Sequence, residues 1–150
     1  MPFLIENYHQ IRKLLDDKNV SLVAVSKFKS PEDILEAYHA GQYDFGENYV
    51  QELLDKQQQL PGDIRWHFIG HLQSNKVKYI APFIYLIQSV DSEKLLQEIN
   101  KQGEKAGRKI ACLLQVHIAQ EETKYGFDGR SEEHTSELQS RQYLVCRLLL

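Results

Sequence analysis

The sequence predicts an α/β protein on the (β/α)8 barrel plan, cut off after about five βα units. Two observations carry that prediction. Five short strand-like segments begin near residues 21, 43, 64, 85 and 110. They are too short for core helices, and the first is apolar on both faces, as a strand buried in a parallel sheet is. Between them lie segments with helical spacing, and strands alternating with helices through regular right-handed crossovers favour a barrel over an open doubly wound sheet. The open sheet stays as the alternative, although no Gly-rich dinucleotide fingerprint supports it. Eight units take upwards of roughly 200 residues, so 150 residues cannot close the barrel.

In chain order, Phe3, Leu4, Tyr8, Ile11, Leu14 and Leu15 recur at helical spacing, which predicts an opening amphipathic helix ending near Asp17. "VSLVAVSK" is the first strand. In "SPEDILEAYHAG", Ser30 can cap a helix, Pro31 suits its first position, Asp33 can complete a capping box and Gly41 can end it. The unit then repeats: "QYDFG" leads into "ENYVQELLDKQQQL", "IRWHFIG" into "HLQSNKVKYI", and "YLIQSVD" into "SEKLLQEINKQGEKAG", with "KIACLLQVHIA" as the fifth strand.

Composition narrows the function classes. The chain is 42% hydrophobic and 26% charged, ordinary for one globular domain. Its 18 basic and 21 acidic residues are scattered, giving a net charge of −3, so no basic field draws it to nucleic acid or an anionic membrane. The start "MPFLIENYHQIRKLL" lacks the unbroken apolar stretch of a signal peptide, and no run approaches spanning length, which makes a cytoplasmic protein the expectation. Cys112 and Cys146 fit a reducing compartment and have no metal-ligand spacing; Cys112, in an apolar strand, reads as a small core hydrophobe.

In a barrel, chemistry belongs at the C-terminal strand ends. Lys27 is at such an end, sharing a face with Val23 and Val25, where partial desolvation would supply the neutral amine a Schiff base requires. The bland reading is a solvated loop lysine. Asn48 follows "DFGE" and could hydrogen-bond a ligand, or equally could cap the next helix with Gln51 three residues on. His67 lies inside the third strand with its neighbour Trp66 on the opposite face; a lone strand histidine is usually a hydrogen-bonded core residue, and His67 with His71 lacks a third zinc ligand. "EETKYGF", with Glu121, Lys124 and Gly126, reads as a polar loop unless it carries ligand contacts.

Taken in order, "AVSK", "FGENYVQE", "WHFIGHLQSNK" and "EETKYG" resemble the pyridoxal phosphate homeostasis proteins, the YggS/PROSC family, over nearly all of residues 1–129. The resemblance implies an alanine racemase-like TIM barrel of PLP fold type III. It also implies pyridoxal 5'-phosphate held as a Schiff base on Lys27, with Asn48 beside the cofactor and His67 as a further neighbour. It implies a non-catalytic, monomeric parent that sequesters the cofactor and delivers it to PLP-dependent apo-enzymes, with neither nucleic acid nor membrane as partner. A PLP-dependent amino-acid racemase is the alternative; it would need a second acid/base across the cofactor, which the sequence does not supply. The family's later phosphate-gripping segments are absent, so weak cofactor binding by this chain is expected. His117 stands where many relatives have asparagine.

From Arg130 the βα rhythm stops. "RSEEHTSELQS" resembles the in-frame translation of a common sequencing adapter, and "LVCRLLL" the translation of the stretch beyond that adapter's index, with a gap of the right size between them. Residues 1–129 are therefore expected to be a partial PLP-binding barrel domain, and residues 130–150 a non-native tail. The tail carries three basic and three acidic residues, so the net charge of −3 stands without it.

Overall fold

The computed structural model describes residues 5–117 and 144–149, with side chains over 5–116. Helix α1 (Ile5–Asp16) leads into a parallel sheet of β1 (Ala24–Val25), β2 (Asp44–Glu47), β3 (Arg65–Phe68), β4 (Leu86–Val90), β5 (Ala111–His117) and β6 (Leu144–Leu149). Helices α2 (Pro31–His39), α3 (Val50–Gln59), α4 (Val77–Ile80) and α5 (Glu93–Lys105) make the crossovers between successive strands from β1 to β5. Strand order follows chain order from β1 to β6, every pairing parallel. A doubly wound sheet reverses its order at a switch point. This one does not, which decides for the barrel plan.

Local chemistry explains most boundaries. Ser30 Oγ accepts from Asp33 N at 3.3 Å, Pro31 opens α2, and Gly41 follows its C-cap at φ 98°, a conformation that suits glycine. Ser92 caps α5 the same way, accepting from Leu95 N, and Leu95, Leu96, Ile99 and Gly103 form its buried stripe. Strand β1 is shorter than "VSLVAVSK" suggests, because the Gln42 amide donates to Leu22 O at 2.8 Å and occupies a carbonyl that would otherwise extend the ladder. Around "HLQSNKVKYI" a 3₁₀ turn at Ser74–Lys76 precedes only one turn of α4, and Pro82 follows without an N–H to continue it.

The core lies between sheet and helices. Phe45, Trp66, Phe68, Ile87 and Cys112 point from the strands toward Ile34, Leu53, Val77, Ile80, Leu96 and Ile99, and all are essentially inaccessible. Each full aliphatic burial is worth about 1.5–3 kcal/mol. Cys112 takes its expected place as a small core hydrophobe. Leu144–Leu149, inside the segment read as adapter-derived, pair in register with Cys112–His117. A largely apolar hexapeptide of any origin can cover an open parallel edge.

Candidate functional site

Register sets what the other sheet face presents. Val25, Gly46, His67 and Leu86 pair in one row across β1 to β4. Two residues further along each strand, at the C-terminal ends, come Lys27, Asn48, Ile69 and Gln88, since side chains alternate with period two. With Val23 and Val25, those four line a cavity of about 360 Å³. That volume is at the small end of the roughly 300–1,000 Å³ typical of small-ligand sites, and apolar walls with a few convergent polar groups are their usual lining.

The structure thus brings Lys27 and Asn48 together. Lys27 is exposed. Asn48 does not cap α3: the N-cap is Tyr49, which makes no side-chain cap bond. Instead Asn48 Oδ1 is buried without a hydrogen-bond partner, an acceptor waiting for a donor. Gly70 holds Asn48 from behind. A Cβ on Gly70 would lie 2.5 Å from Asn48 O and 2.8 Å from its Cα, while Ser89 Oγ donates to Gly70 O. Only glycine allows that approach.

His67 is in the row below and reaches the cavity only through Gln88. Its Nδ1 is 3.0 Å from Gln88 Nε2 and its Nε2 is 2.9 Å from Asp44 Oδ1. With the Gln88 amide donating to Nδ1, the ring proton is on Nε2 and is donated to Asp44. Trp66 faces the core, 6.1 Å from Phe45 ring to ring. Burial works against the Asp44 carboxylate, but hydrogen bonds from Arg65 and His67 outweigh it and hold the carboxyl below its usual range. His71 is on the outer rim, Nδ1 3.0 Å from Asp91 Oδ2. The motif "EETKYGF" lies outside the described residues, as do all side chains from His117 on.

Sequence reasoning missed Gln88, and it missed the groups that hold the Lys27 turn. Phe28 sits at φ 61°, a left-handed conformation that costs a non-glycine residue about 1–3 kcal/mol and persists only where its surroundings impose it. Phe28 N donates to Glu52 Oε1 at 2.6 Å, and Ser26 Oγ donates to Glu47 Oε1 at 2.6 Å. Lys56 Nζ donates to Ser26 O, Glu47 Oε1 and Glu52 Oε1 at 2.6, 2.7 and 2.6 Å. A Glu–Lys pair at i, i+4 was visible in "QELLDK"; that it turns inward was not.

Residues 3–142 match the family model described as alanine racemase, N-terminal domain. A pyridoxal phosphate homeostasis protein of Schizosaccharomyces pombe is 42% identical over 144 residues, covering 94% of this chain and 61% of the relative. The chain belongs to the pyridoxal phosphate homeostasis protein family. PipY of Synechococcus elongatus has been solved without and with PLP. The two structures match at 35% and 34% identity with TM-scores of 0.87 and 0.84, each over 97% of this chain, and over 68% and 70% of PipY. The chain spans about three fifths of the length of that yeast relative and 42% of the human one. Family membership and the chain-order parallel sheet together give an alanine racemase-like PLP fold type III barrel architecture, as the sequence predicts.

Proposed function

We propose that this chain is the cofactor-carrying part of a non-catalytic PLP homeostasis protein, with pyridoxal 5'-phosphate held as a Schiff base on Lys27. The observation that carries it is the cavity where an exposed lysine and the buried, unpartnered Asn48 Oδ1 converge. The cofactor supplies an aldehyde for an amine, together with a pyridine ring and polar groups that can donate to a lone acceptor. Lys27 provides the amine, Asn48 the acceptor, and Val23, Val25 and Ile69 an apolar wall. Gln88 provides an amide whose orientation His67 sets from below.

Among the described residues lining the cavity, Lys27 alone carries a titratable group. A racemase needs a second acid/base across the cofactor, and neither Asn48 nor Gln88 transfers protons. In this reading the parent is a cytoplasmic monomer whose recipients are apo forms of PLP-dependent enzymes. The charge of −3 argues against nucleic acid, and among the described residues no helix is long and apolar enough to cross a membrane. Residues 130–150 are adapter-derived; sequencing the locus past the Gly129 codon tests that directly.

The cofactor test is to incubate the chain with pyridoxal 5'-phosphate, reduce with borohydride and map the label by peptide mass. Label concentrated on Lys27, and lost from that peptide in Lys27→Ala, is expected. Label spread evenly over the surface lysines would overturn the assignment. Alanine racemisation at enzyme-like rates by the full-length parent would overturn the non-catalytic reading.

A further inference from the structure

The turn that presents Lys27 is tied on both flanks to one buried ammonium group. Before Lys27, Ser26 gives its carbonyl to Lys56 Nζ and its hydroxyl proton to Glu47 Oε1. After it, the Phe28 amide donates to Glu52 Oε1, which also accepts from Lys56. The Lys56 side chain is 5% exposed and its three donors meet three acceptors, so the ammonium is saturated. Glu47 comes from β2, Glu52 and Lys56 from α3, and the turn from the end of β1. The cluster lies on the core side of the sheet while Lys27 lines the cavity on the other.

A lysine on a four-carbon stem loses much rotamer freedom when its amine must meet a carbonyl carbon. Holding its backbone removes part of that search. The left-handed Phe28 has a purpose in such a device, because its φ aims the N–H at Glu52 and reverses the chain directly after Lys27.

We infer that Glu52 and Lys56, with Glu47 and Ser26, are positioning residues for Lys27: they clamp the Ser26–Phe28 turn from behind so that Nζ is presented over the cavity. The inference rests on the proposed role of Lys27. In the step it serves, Nζ adds to the aldehyde carbon of pyridoxal 5'-phosphate and water leaves. Borohydride then delivers hydride to the C=N carbon, leaving a stable secondary amine.

Glu52 is the residue to change, since its side chain is partly exposed and its loss leaves the Lys56–Glu47 pair in the core. The wild-type chain, Glu52→Ala and Glu52→Gln are each mixed with pyridoxal 5'-phosphate, quenched with borohydride at intervals, and read at Lys27 and Lys29 by peptide mass, at a temperature where circular dichroism shows all three folded. Trapping at Lys27 should slow by about tenfold or more in Glu52→Ala, with Lys29 unchanged. Glu52→Gln keeps an acceptor for Phe28 N and should retain most of the rate. Unchanged trapping at Lys27 in Glu52→Ala, equal slowing at both lysines, or equal loss in the Ala and Gln variants would each overturn the clamp while leaving the cofactor assignment standing. Wild-type label no faster at Lys27 than at Lys29 would overturn both.

Discussion

Lys56 Nζ lies 2.7 Å from Glu47 Oε1, with side chains only 5% and 0% exposed. Burial pushes the Glu47 carboxyl up, and hydrogen bonds from Lys56 and Ser26 pull it partly back, leaving it above the ordinary value of 4.5. Removing the cation strands a buried carboxylate. Lys56→Met should therefore cost about 3–5 kcal/mol at pH 7 by urea denaturation, with part recovered when Glu47→Gln is added. A raised carboxyl contributes stability below its unfolded pKa and loses it as pH rises through the folded value. The Lys56→Met penalty should accordingly be smaller at pH 4 than at pH 7; a penalty flat across that range would contradict the account.

Gly70 gives a steric prediction. The atoms a new Cβ would meet are Asn48 backbone, which cannot swing aside as a side-chain end can. Gly70→Ala should lose about 1–3 kcal/mol and shift Asn48 out of the cavity. Gly62→Ala, with nothing within 4 Å of the new Cβ, is the control and should change stability by no more than about 0.5 kcal/mol. Equal melting temperatures for the two variants would refute the close approach.

Asp44 gives the opposite pH signature to Glu47. Its folded pKa is lowered from 3.8, so its contribution is present above that unfolded value and disappears as pH falls through the lower folded one. Arg65 is 46% exposed, which discounts that arm of the network, but the buried His67 would exchange a carboxylate acceptor for a weaker amide oxygen. Asp44→Asn should cost about 1–2 kcal/mol at pH 7, and the gap should close below about pH 4. A gap that stays fully open once the Asp44 carboxyl is protonated would contradict this account.

The strand rhythm was legible because short strand-like segments, the first of them apolar on both faces, alternate with capped segments of helical spacing; the five expected starts fall within three residues of Ala24, Asp44, Arg65, Leu86 and Ala111. Ser30, Pro31 and Gly41 were legible because capping is local chemistry. Lys27 and Asn48 could be singled out as strand-end residues, but period-two alternation could not say that Asn48 leaves the helix uncapped and keeps an unpaired oxygen, since that depends on the Gly70 backbone packing against it. Nor could it find Gln88, or the inward turn of Lys56, a residue type that composition assigns to the surface. These are non-local contacts, and only register brings them together.

Cys112 tests the core beneath this site. Its side chain is wholly inaccessible on β5, and burial pushes the thiol up to about 12, so almost no thiolate exists at neutral pH in the folded chain. Reaction with an aromatic disulfide should then wait for the sheet to open. Followed by peptide mapping, which keeps Cys146 separate, labelling of Cys112 should be at least about a thousandfold slower in the native chain than in urea, matching the lower end of ordinary domain stabilities. Because the thiol reacts only from the open form, the native rate should climb with pH as an unperturbed cysteine does, near 8.5, rather than stay negligible until pH 12. Rapid native labelling would place Cys112 outside the core, and the apolar layer behind the Lys27 cavity would have to be redrawn.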